Sequence, residues 1–397
     1  MDKYKKHVPE GVEDCLSAEC YIKKTIENAL RQQFIVSGYD EIETPTYEHF
    51  DVFQSGVGSY IQESMIKFVD SNGRIIVLRP DLTVPIARVA ATKLKNMPQR
   101  LFYIQNSFAA AEPAIGKAGE FTQAGIELIG DDSFYADAEV IALAVKALQT
   151  AGLKSFAVDI GQVAYFKALI SGAGLKDNDI DALRHAVDSK DSLAIETLSR
   201  KFDLGPEMTR RILTLPYLFG GSEIFDKALK LSSAPGCIEA VENLRSVYNL
   251  LTEYGLGDYI SVDFGMLHDI AYYSGIIFRG LATGIGFPVV SGGRYDDLLS
   301  KFGESAPATG FALGLKRVMI AMERQGLLSG YYSTDLVVSC APSVCGMAYA
   351  YVQEQRGIGK RTVFLAGLSK DELQKEKEKT GALAAVYFDA DGKQYKE

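Results

Sequence analysis

Residues 101–130 form two strand-like segments separated by a long loop, and this pattern constrains the fold more than any other. Residues 102–104 are apolar and aromatic, and residues 121–129 have the same character, as expected for a pair of β-strands. The stretch between them, residues 109–119, is rich in alanine and glycine. A loop of this kind normally holds a phosphate or nucleotide with basic side chains, yet Lys117 is its one cation. The segment therefore has the frame of a nucleotide site without its charges.

Length and composition restrict the class of protein. A chain of 397 residues is long enough for two or three domains with a large core. The first residues lack a signal-peptide pattern, and no apolar run approaches the ~20 residues of a membrane span, so we expect a cytoplasmic protein. Five cysteines without metal-ligand spacing predict reduced thiols and no metal site. A net charge of −9 disfavours a nucleic-acid partner.

The order of predicted elements indicates a mixed α/β (α+β) fold. Residues 1–328 are predicted to form a core domain, interrupted by an almost wholly helical insertion at about 165–254. We expect residues 310–326 to close this domain as a helix. The segment 332–397 alternates strand, helix, strand, helix and strand, which predicts a small C-terminal α/β domain.

Four short motifs are polar where a simple core would be apolar. They are Leu78–Thr83 (LRPDLT), His268–Gly275 (HDIAYYSG), Ser291–Asp296 (SGGRYD) and Pro307–Arg317. Each is weak alone, because a GGRYD sequence also fits a turn with a solvated arginine and a tyrosine pair also fits a core.

Taken together and in this order, the motifs resemble the catalytic core of histidyl-tRNA synthetase, a class II aminoacyl-tRNA synthetase, over residues 8–324. The resemblance implies an antiparallel sheet flanked by helices. It identifies Thr44-Pro45 with the first class motif, which in that family forms the dimer interface. Phe108–Glu127 is similar to the second class motif, and Gly310–Arg317 to the third.

The departures from that family concern its ATP chemistry. The second motif normally carries an arginine that grips the α-phosphate and a glutamate two residues later, and here these positions are Ala109 and Ala111. The catalytic arginine of the histidine-specific motif is replaced by His268, and Arg317 alone remains of the arginine set. Losing one such group commonly costs ~10²–10³ in rate. We therefore expect no adenylate formation, no catalytic residues and no cofactor.

The amino-acid pocket of the family is largely retained, which predicts an L-histidine site. By resemblance, three side chains would bind the ammonium and carboxylate end of the ligand: Asp81, Thr83 and Gln123. Three more would contact the imidazole, whose nitrogens a carboxylate and phenols can match: Glu127, Tyr273 and Tyr295. Two neighbours complete the candidates for histidine binding: His268 and Tyr272.

Simpler interpretations of three of these residues remain open. Glu127 fits a strand carboxylate paired with a basic neighbour. Asp81 fits a helix N-cap ahead of Val84. His268 fits an ordinary core or surface histidine.

A synthetase core that keeps the histidine pocket and loses the ATP site is similar to the regulatory subunits of ATP phosphoribosyltransferase. That family shares the Leu-Arg-Pro-Asp-x-Thr pattern of Leu78–Thr83 and the Asp159-Ile160-Gly161 strand end. The resemblance implies a non-catalytic protein that activates a short catalytic phosphoribosyltransferase subunit in histidine biosynthesis, with L-histidine as the feedback effector. It also implies a homodimer within a hetero-oligomer.

Two alternatives are an active histidyl-tRNA synthetase and a synthetase paralogue in another role, such as binding tRNA or a kinase-like partner. The first of these needs cations in the second class motif and an anticodon-binding surface. The predicted helix at residues 370–379 instead mixes lysine with glutamate, so we expect no tRNA binding.

Overall fold

The computed structural model describes residues 6–54, 64–110, 119–267, 272–328 and 333–396. The chain separates into two compact units, Met1–Leu327 and Leu328–Glu397. No helix in the described part of the chain is long and apolar enough to cross a membrane.

The strands of the large unit form a nine-stranded sheet and a three-stranded sheet. In chain order they are β1 (Asp40–Glu41), β2 (Tyr47–His49), β3 (Lys67–Val69), β4 (Ile75–Leu78), β5 (Gln99–Phe108), β6 (Glu120–Ile129), β7 (Phe156–Gln162), β8 (Phe219–Gly220), β9 (Ile260–Asp263), β10 (Ile276–Ala282), β11 (Pro288–Arg294) and β12 (Ala308–Gly314). The large sheet has the order β1-β5-β6-β12-β11-β10-β7-β9-β8, and the small sheet the order β2-β4-β3. All pairs from β5 to β7 in this order are antiparallel.

Helices cover the large sheet and build the insertion. They are α1 (Ser17–Val36), α2 (Phe50–Gln54), α3 (Thr83–Lys93), α4 (Phe134–Thr150), α5 (Val163–Ile170), α6 (Asp177–Asp188), α7 (Ser192–Lys201), α8 (Pro206–Thr214), α9 (Glu223–Leu231), α10 (Pro235–Glu253) and α11 (Leu315–Arg324). A large, mainly antiparallel sheet flanked by helices agrees with the predicted α/β fold.

The strands β5 and β6 form one continuous antiparallel ladder, from Gln99 opposite Ile129 to Phe108 opposite Glu120. Alternation of side chains along a strand gives each strand two faces. On one face Phe102 and the α1 residue Phe34 pack with their ring centroids 5.5 Å apart. Odd-numbered residues of β6 therefore lie on the opposite face, which carries the candidate site.

The expected helix at residues 310–326 is wrong in its first part. Residues 308–314 are strand β12, and helix α11 begins only at Leu315. Strand β12 pairs with β6, placing Gly310 opposite Glu127 and Gly314 opposite Gln123. Local apolar spacing does not separate these states, because the strand is fixed by its two neighbours in the sheet.

The insertion is almost wholly helical, with one exception. Helices α5 to α10 pack around buried aromatic rings, among them Tyr165 and Phe264 at 4.8 Å between centroids. The two-residue strand β8 inside the insertion pairs with β9 of the main sheet, which the sequence pattern did not indicate.

The small unit is a four-stranded α/β module. Its elements are β13 (Leu336–Cys340), α12 (Cys345–Gly357), β14 (Thr362–Phe364), α13 (Lys370–Thr380), β15 (Ala384–Phe388) and β16 (Gln394–Lys396). The strand order is β14-β13-β15-β16, with β13 parallel to both neighbours. A capping box between Ser369 and Glu372 starts α13. Strand β16 was not predicted from the sequence.

Candidate functional site

The candidate site lies on the face of the large sheet opposite α1, where four parts of the chain meet. Strand β6 supplies Glu127, and the junction between β4 and α3 supplies Asp81 and Thr83. The remaining described side chains, Tyr272, Tyr273 and Tyr295, come from the segment before β10 and from the residue after β11. All but Asp81 are at most 8% exposed, so the site is enclosed by protein.

Glu127 lies at the centre of this site. One carboxylate oxygen, Oε1, accepts a hydrogen bond from Thr83 Oγ1 at 2.7 Å, and Oε2 accepts one from the Tyr295 hydroxyl. Among the residues that the structure describes, no lysine or arginine forms an ion pair with Glu127, so the interpretation as a paired strand carboxylate is not supported. Burial raises the pKa of Glu127 to about 8, opposed by the two hydroxyls and reinforced by the nearby charge of Asp81.

Asp81 joins the start of a helix to the site. Its Oδ1 accepts a hydrogen bond from the backbone N–H of Val84 at 2.7 Å, which caps the first turn of α3. Its Oδ2 accepts one from the Tyr272 hydroxyl at 3.3 Å. Burial raises the pKa of Asp81 as well. The capping interpretation and the binding interpretation are therefore compatible, one for each oxygen.

Tyrosine rings form the wall next to these carboxylates. Tyr272 contacts Tyr273 edge to face at 5.2 Å between centroids and Tyr295 at 5.8 Å. The pKa of the Tyr273 hydroxyl is raised by burial and then by the charges of Glu127 and Asp81. These phenols therefore stay protonated and can donate hydrogen bonds.

Of the two remaining candidate residues, the structure describes Gln123 but not His268. Gln123 is half-buried four residues before Glu127 on the same face of β6, and its Oε1 accepts a hydrogen bond from Ser107 at 2.7 Å. His268 lies outside the described residues, as do Ala111 and Lys117.

Sequence reasoning missed Tyr103 and the glycines that make room for the site. Tyr103 is fully buried, and the charges of Glu127 and Asp81 add to burial in raising its pKa. A Cβ atom at Gly125, its partner across the strand pair, would overlap the Tyr103 hydroxyl. A Cβ at Gly310 would likewise overlap Glu127 Oε2. A bulky aromatic residue opposite a glycine is a usable signal, but only once the register is known.

The arginine of the GGRYD motif is not solvated, contrary to one of the interpretations above. Arg294 is 6% exposed, and its Nε lies 3.0 Å from both carboxylate oxygens of Asp137 on α4. Its Nη1 donates to Asp296 at 3.2 Å, and Nη2 donates to the Ser133 carbonyl at 3.2 Å. We call Arg294, Asp137 and Asp296 the Arg294 cluster, since its opposite charges compensate one another.

Ala109, which the resemblance aligns with the phosphate-binding arginine of the synthetases, donates its N–H to the Gly119 carbonyl at 3.0 Å. Arg317 is exposed on α11. Its Nη1 donates to the Pro288 carbonyl at 2.9 Å, and its guanidinium lies 5.5 Å from the Phe287 ring centroid.

Two carboxyl groups beside hydroxyls, that of Glu127 buried and that of Asp81 half-buried, make the candidate site complementary to a small ligand that carries N–H donors or positive charge. We call Glu127, Asp81, Thr83 and Tyr295 the Glu127 cluster. In contrast to the Arg294 cluster, it contains two acidic groups and no basic one.

The comparison with known proteins first defines the class. The family model for histidyl-tRNA synthetase matches residues 11–318. The histidyl-tRNA synthetase from Nostoc sp. PCC 7120 has a TM-score of 0.84, with 98% of this chain and 96% of that chain covered, and its 19% identity supports the fold alone. The large unit thus has a histidyl-tRNA synthetase-like fold of class II.

More similar relatives then define the family. The ATP phosphoribosyltransferase regulatory subunit of Acetivibrio thermocellus is 49% identical over 327 residues, covering 82% of this chain and 78% of the relative. That of Clostridium acetobutylicum is 44% identical over 367 residues, covering 91% and 90%. A crystal structure from Bacillus halodurans C, described as an ATP phosphoribosyltransferase regulatory subunit/histidyl-tRNA synthetase, has a TM-score of 0.82 at 30% identity, covering 98% and 99%. The chain belongs to the family of ATP phosphoribosyltransferase regulatory subunits, which confirms the predicted resemblance.

Proposed function

We propose that this chain binds L-histidine at the Glu127 cluster and thereby controls the activity of a catalytic ATP phosphoribosyltransferase subunit. The empty chain activates its partner, and the histidine-bound chain inhibits it. The family name supports a partnership with a catalytic subunit. The geometry of the site supports the choice of ligand.

The observation that carries the proposal is the Glu127 carboxylate, held between Thr83 and Tyr295 on a face where no described basic side chain pairs with it. An imidazole N–H would donate to this carboxylate, and a protonated imidazole would also favour its ionised form. Asp81 Oδ2 accepts a hydrogen bond from the Tyr272 hydroxyl, and this oxygen would also accept a hydrogen bond from the ligand's ammonium group. Gln123, near the end of β6, would contact the carboxylate end.

Histidine binding alters the activity of the catalytic subunit only if histidine binds two states of the complex with different affinity. A coupling free energy of ~1–3 kcal/mol between the histidine site and the catalytic site would change the affinity at either site about 5–150-fold. The loop between β5 and β6 follows Ser107, which donates a hydrogen bond to Gln123 of the proposed site, and we propose this loop as the responding element.

The same pocket is proposed to lack the activation chemistry of the synthetases. Ala109 cannot hold the charge that develops on phosphorus during adenylate formation. We expect no histidine-dependent exchange of pyrophosphate into ATP and no charging of tRNA. In the small unit, Lys379 pairs with Glu376 at 2.9 Å, which supports a solvated helix rather than a phosphate-binding surface.

We further propose that the chain forms an isologous homodimer to which catalytic subunits add. The sheet β2-β4-β3 lies next to the first class motif and exposes large apolar side chains: Tyr47, Phe68, Val69 and Ile75. Adjacent exposed apolar side chains of this kind typically mark an interface. A strictly monomeric chain in light scattering at micromolar concentration would contradict this.

Calorimetric titration of the purified chain with L-histidine tests the proposal directly. Glu127→Gln keeps the shape of the side chain but removes the carboxyl group that a bound imidazolium would ionise, and we expect about 10–100-fold weaker binding. Glu27→Gln is the matched control, because Glu27 is also a buried glutamate but lies on α1 and pairs with Lys24 at 2.6 Å. Its histidine affinity should equal that of the unaltered chain.

The regulatory part is tested with the reconstituted complex, assayed against a histidine series. Glu127→Ala and Tyr273→Phe should move the inhibition curve to higher histidine while complex formation and uninhibited turnover stay nearly unchanged. Tyr165→Phe, which removes a buried hydroxyl bonded to the Ala228 carbonyl, is the control for loss of a tyrosine hydroxyl. If neither pocket variant moves the curve, histidine is sensed elsewhere.

A further inference from the structure

Two cysteines of the small unit lie within contact distance of each other without being bonded. The Sγ atoms of Cys340 and Cys345 are 3.2 Å apart, and both cysteines are free thiols. A disulfide brings its sulfurs to ~2.05 Å, so closure requires a relative movement of about 1 Å. Side-chain rotation and a small backbone adjustment can supply this.

The backbone between the two cysteines is held in place. Cys340 ends β13, residues 342–344 form a short 3₁₀ turn, and Cys345 begins α12. The N–H of Ala341 donates to the Phe388 carbonyl at 2.9 Å, and the N–H of Val344 donates to the Ala341 carbonyl at 3.1 Å. The backbone that carries the two sulfurs is therefore fixed by the fold.

We propose that Cys340 and Cys345 form a reversible intrachain disulfide that links the end of β13 to the start of α12. This modification site is independent of the histidine pocket. Its reaction partner is a small-molecule disulfide such as oxidised glutathione.

The two thiols have different roles in the exchange. Cys340 is fully buried in the apolar core of the small unit, whereas Cys345 is partly exposed. Burial raises the pKa of Cys340 to about 11, and its hydrogen bond to Cys345 raises it further. Cys345 is therefore the thiol that an external disulfide reaches first.

The exchange balances in two steps. Cys345 loses its proton, and its thiolate attacks one sulfur of oxidised glutathione, which forms a mixed disulfide and releases one glutathione thiolate. Cys340 then gives up its proton and attacks Cys345 Sγ, releasing the second glutathione. Two electrons pass from the protein thiols to the reagent, and the two protons end on the two released glutathione thiols.

The other cysteines must be separated from this pair. Cys15 and Cys20 have the same spacing at the start of α1, and Cys15 is exposed. Cys237 is buried in the insertion. The experiment therefore uses the full chain with Cys15→Ser and Cys20→Ser in addition to the unaltered chain.

The test equilibrates both proteins in glutathione buffers of varying composition, quenches with acid and measures intact mass, free thiols and disulfide-linked peptides. We expect loss of two thiols and of two hydrogen atoms per chain, with Cys340 linked to Cys345. At a fixed concentration of oxidised glutathione, the ratio of oxidised to reduced protein should fall with the square of the reduced glutathione concentration, as for an intrachain disulfide. A mixed disulfide as the stable product, or retention of both thiols in fully oxidised buffer, would overturn the proposal.

Two single variants test the order of attack. Cys340→Ser should accumulate one glutathione on Cys345, because no second thiol can release it. Cys345→Ser should stay unmodified over the same time, since Cys340 is buried. Equal modification of the two variants would contradict the assigned roles. Cys340→Ala provides the same information if serine is not tolerated in the core.

Discussion

Arg294 and Tyr295 are adjacent in the chain, yet they belong to two buried polar clusters that differ in how charge is compensated. Alternation at the end of β11 directs Arg294 to Asp137 on α4, and Tyr295 to Glu127 on the other face of the sheet. In the Arg294 cluster a guanidinium pairs with two carboxylates. In the Glu127 cluster only hydroxyl groups contact the buried carboxyl group, and no cation among the described residues pairs with it.

The pKa values express the same difference. Burial raises the pKa of Asp137 to about 6, opposed by the charge of Arg294, so Asp137 remains ionised at neutral pH. Burial raises the pKa of Glu127 to about 8, and only hydroxyl groups oppose it. A cluster that is complete without a ligand is a structural element, whereas a cluster that lacks a cation is suited to bind one.

Removal of the Arg294 charge is expected to change the free energy of unfolding more than any other change to the two clusters. Arg294→Met would leave Asp137 buried without its partner, and we expect the free energy of unfolding to fall by about 3–5 kcal/mol. Urea unfolding at pH 7 measures this. Arg324→Met, on an exposed arginine at the end of α11, should change it by about 0.5 kcal/mol or less. A loss below about 1 kcal/mol for Arg294→Met would mean that the cluster is not a structural element.

The next effect concerns pH. A carboxyl with a higher pKa in the folded chain than in the unfolded chain holds its proton more tightly when folded, so stability falls as pH rises between the two values. For Glu127 this window extends from 4.5 to about 8. Between pH 6 and pH 8 we expect a decrease of about 2 kcal/mol in the free energy of unfolding.

Glu127→Gln should remove most of that decrease, since glutamine carries no charge at either pH. Asp137 contributes mainly below pH 6 and does not interfere in this range. Unfolding curves for both proteins at pH 6 and pH 8 are compared in the absence of histidine. Equal pH dependence in the two proteins would place the titrating group outside the Glu127 cluster.

Sequence patterns predicted the parts of this comparison that depend on local spacing. The strand pair β5–β6 follows from its apolar segments, and its period of two places Gln123 and Glu127 on one face. Strand β12 could not be predicted in the same way, because Gly310 lies in a strand only through pairing with β6 and β11. The partnership of Arg294 with Asp137 joins residues 157 positions apart, and no local pattern contains it.

The candidate site residues were predicted by resemblance, and the structure adds their hydrogen bonds and burial. The LRPDLT motif pointed to Asp81 and Thr83, but not to the division of Asp81 between a helix cap and Tyr272. Tyr103 was missed because its contact with the Glu127 cluster depends on the glycine opposite it, Gly125. Register across the sheet therefore decided the site, and register is a tertiary property.

The smallest effect on stability distinguishes the two functions of Asp81. Asparagine caps helices about as well as aspartate, so Asp81→Asn should keep the bond to the Val84 N–H and change the free energy of unfolding by less than about 0.5 kcal/mol. Asp81→Ala removes the cap and should cost about 1 kcal/mol. Both variants remove the negative charge that we propose for the ligand's ammonium group. Calorimetric titration should therefore show weaker histidine binding for both variants. Because Asp81→Asn removes the charge but keeps the helix cap, its weaker binding would be due to the charge alone. If Asp81→Asn binds histidine as tightly as the unaltered chain, Asp81 serves the helix alone, and Glu127 is left as the only acidic ligand of the Glu127 cluster.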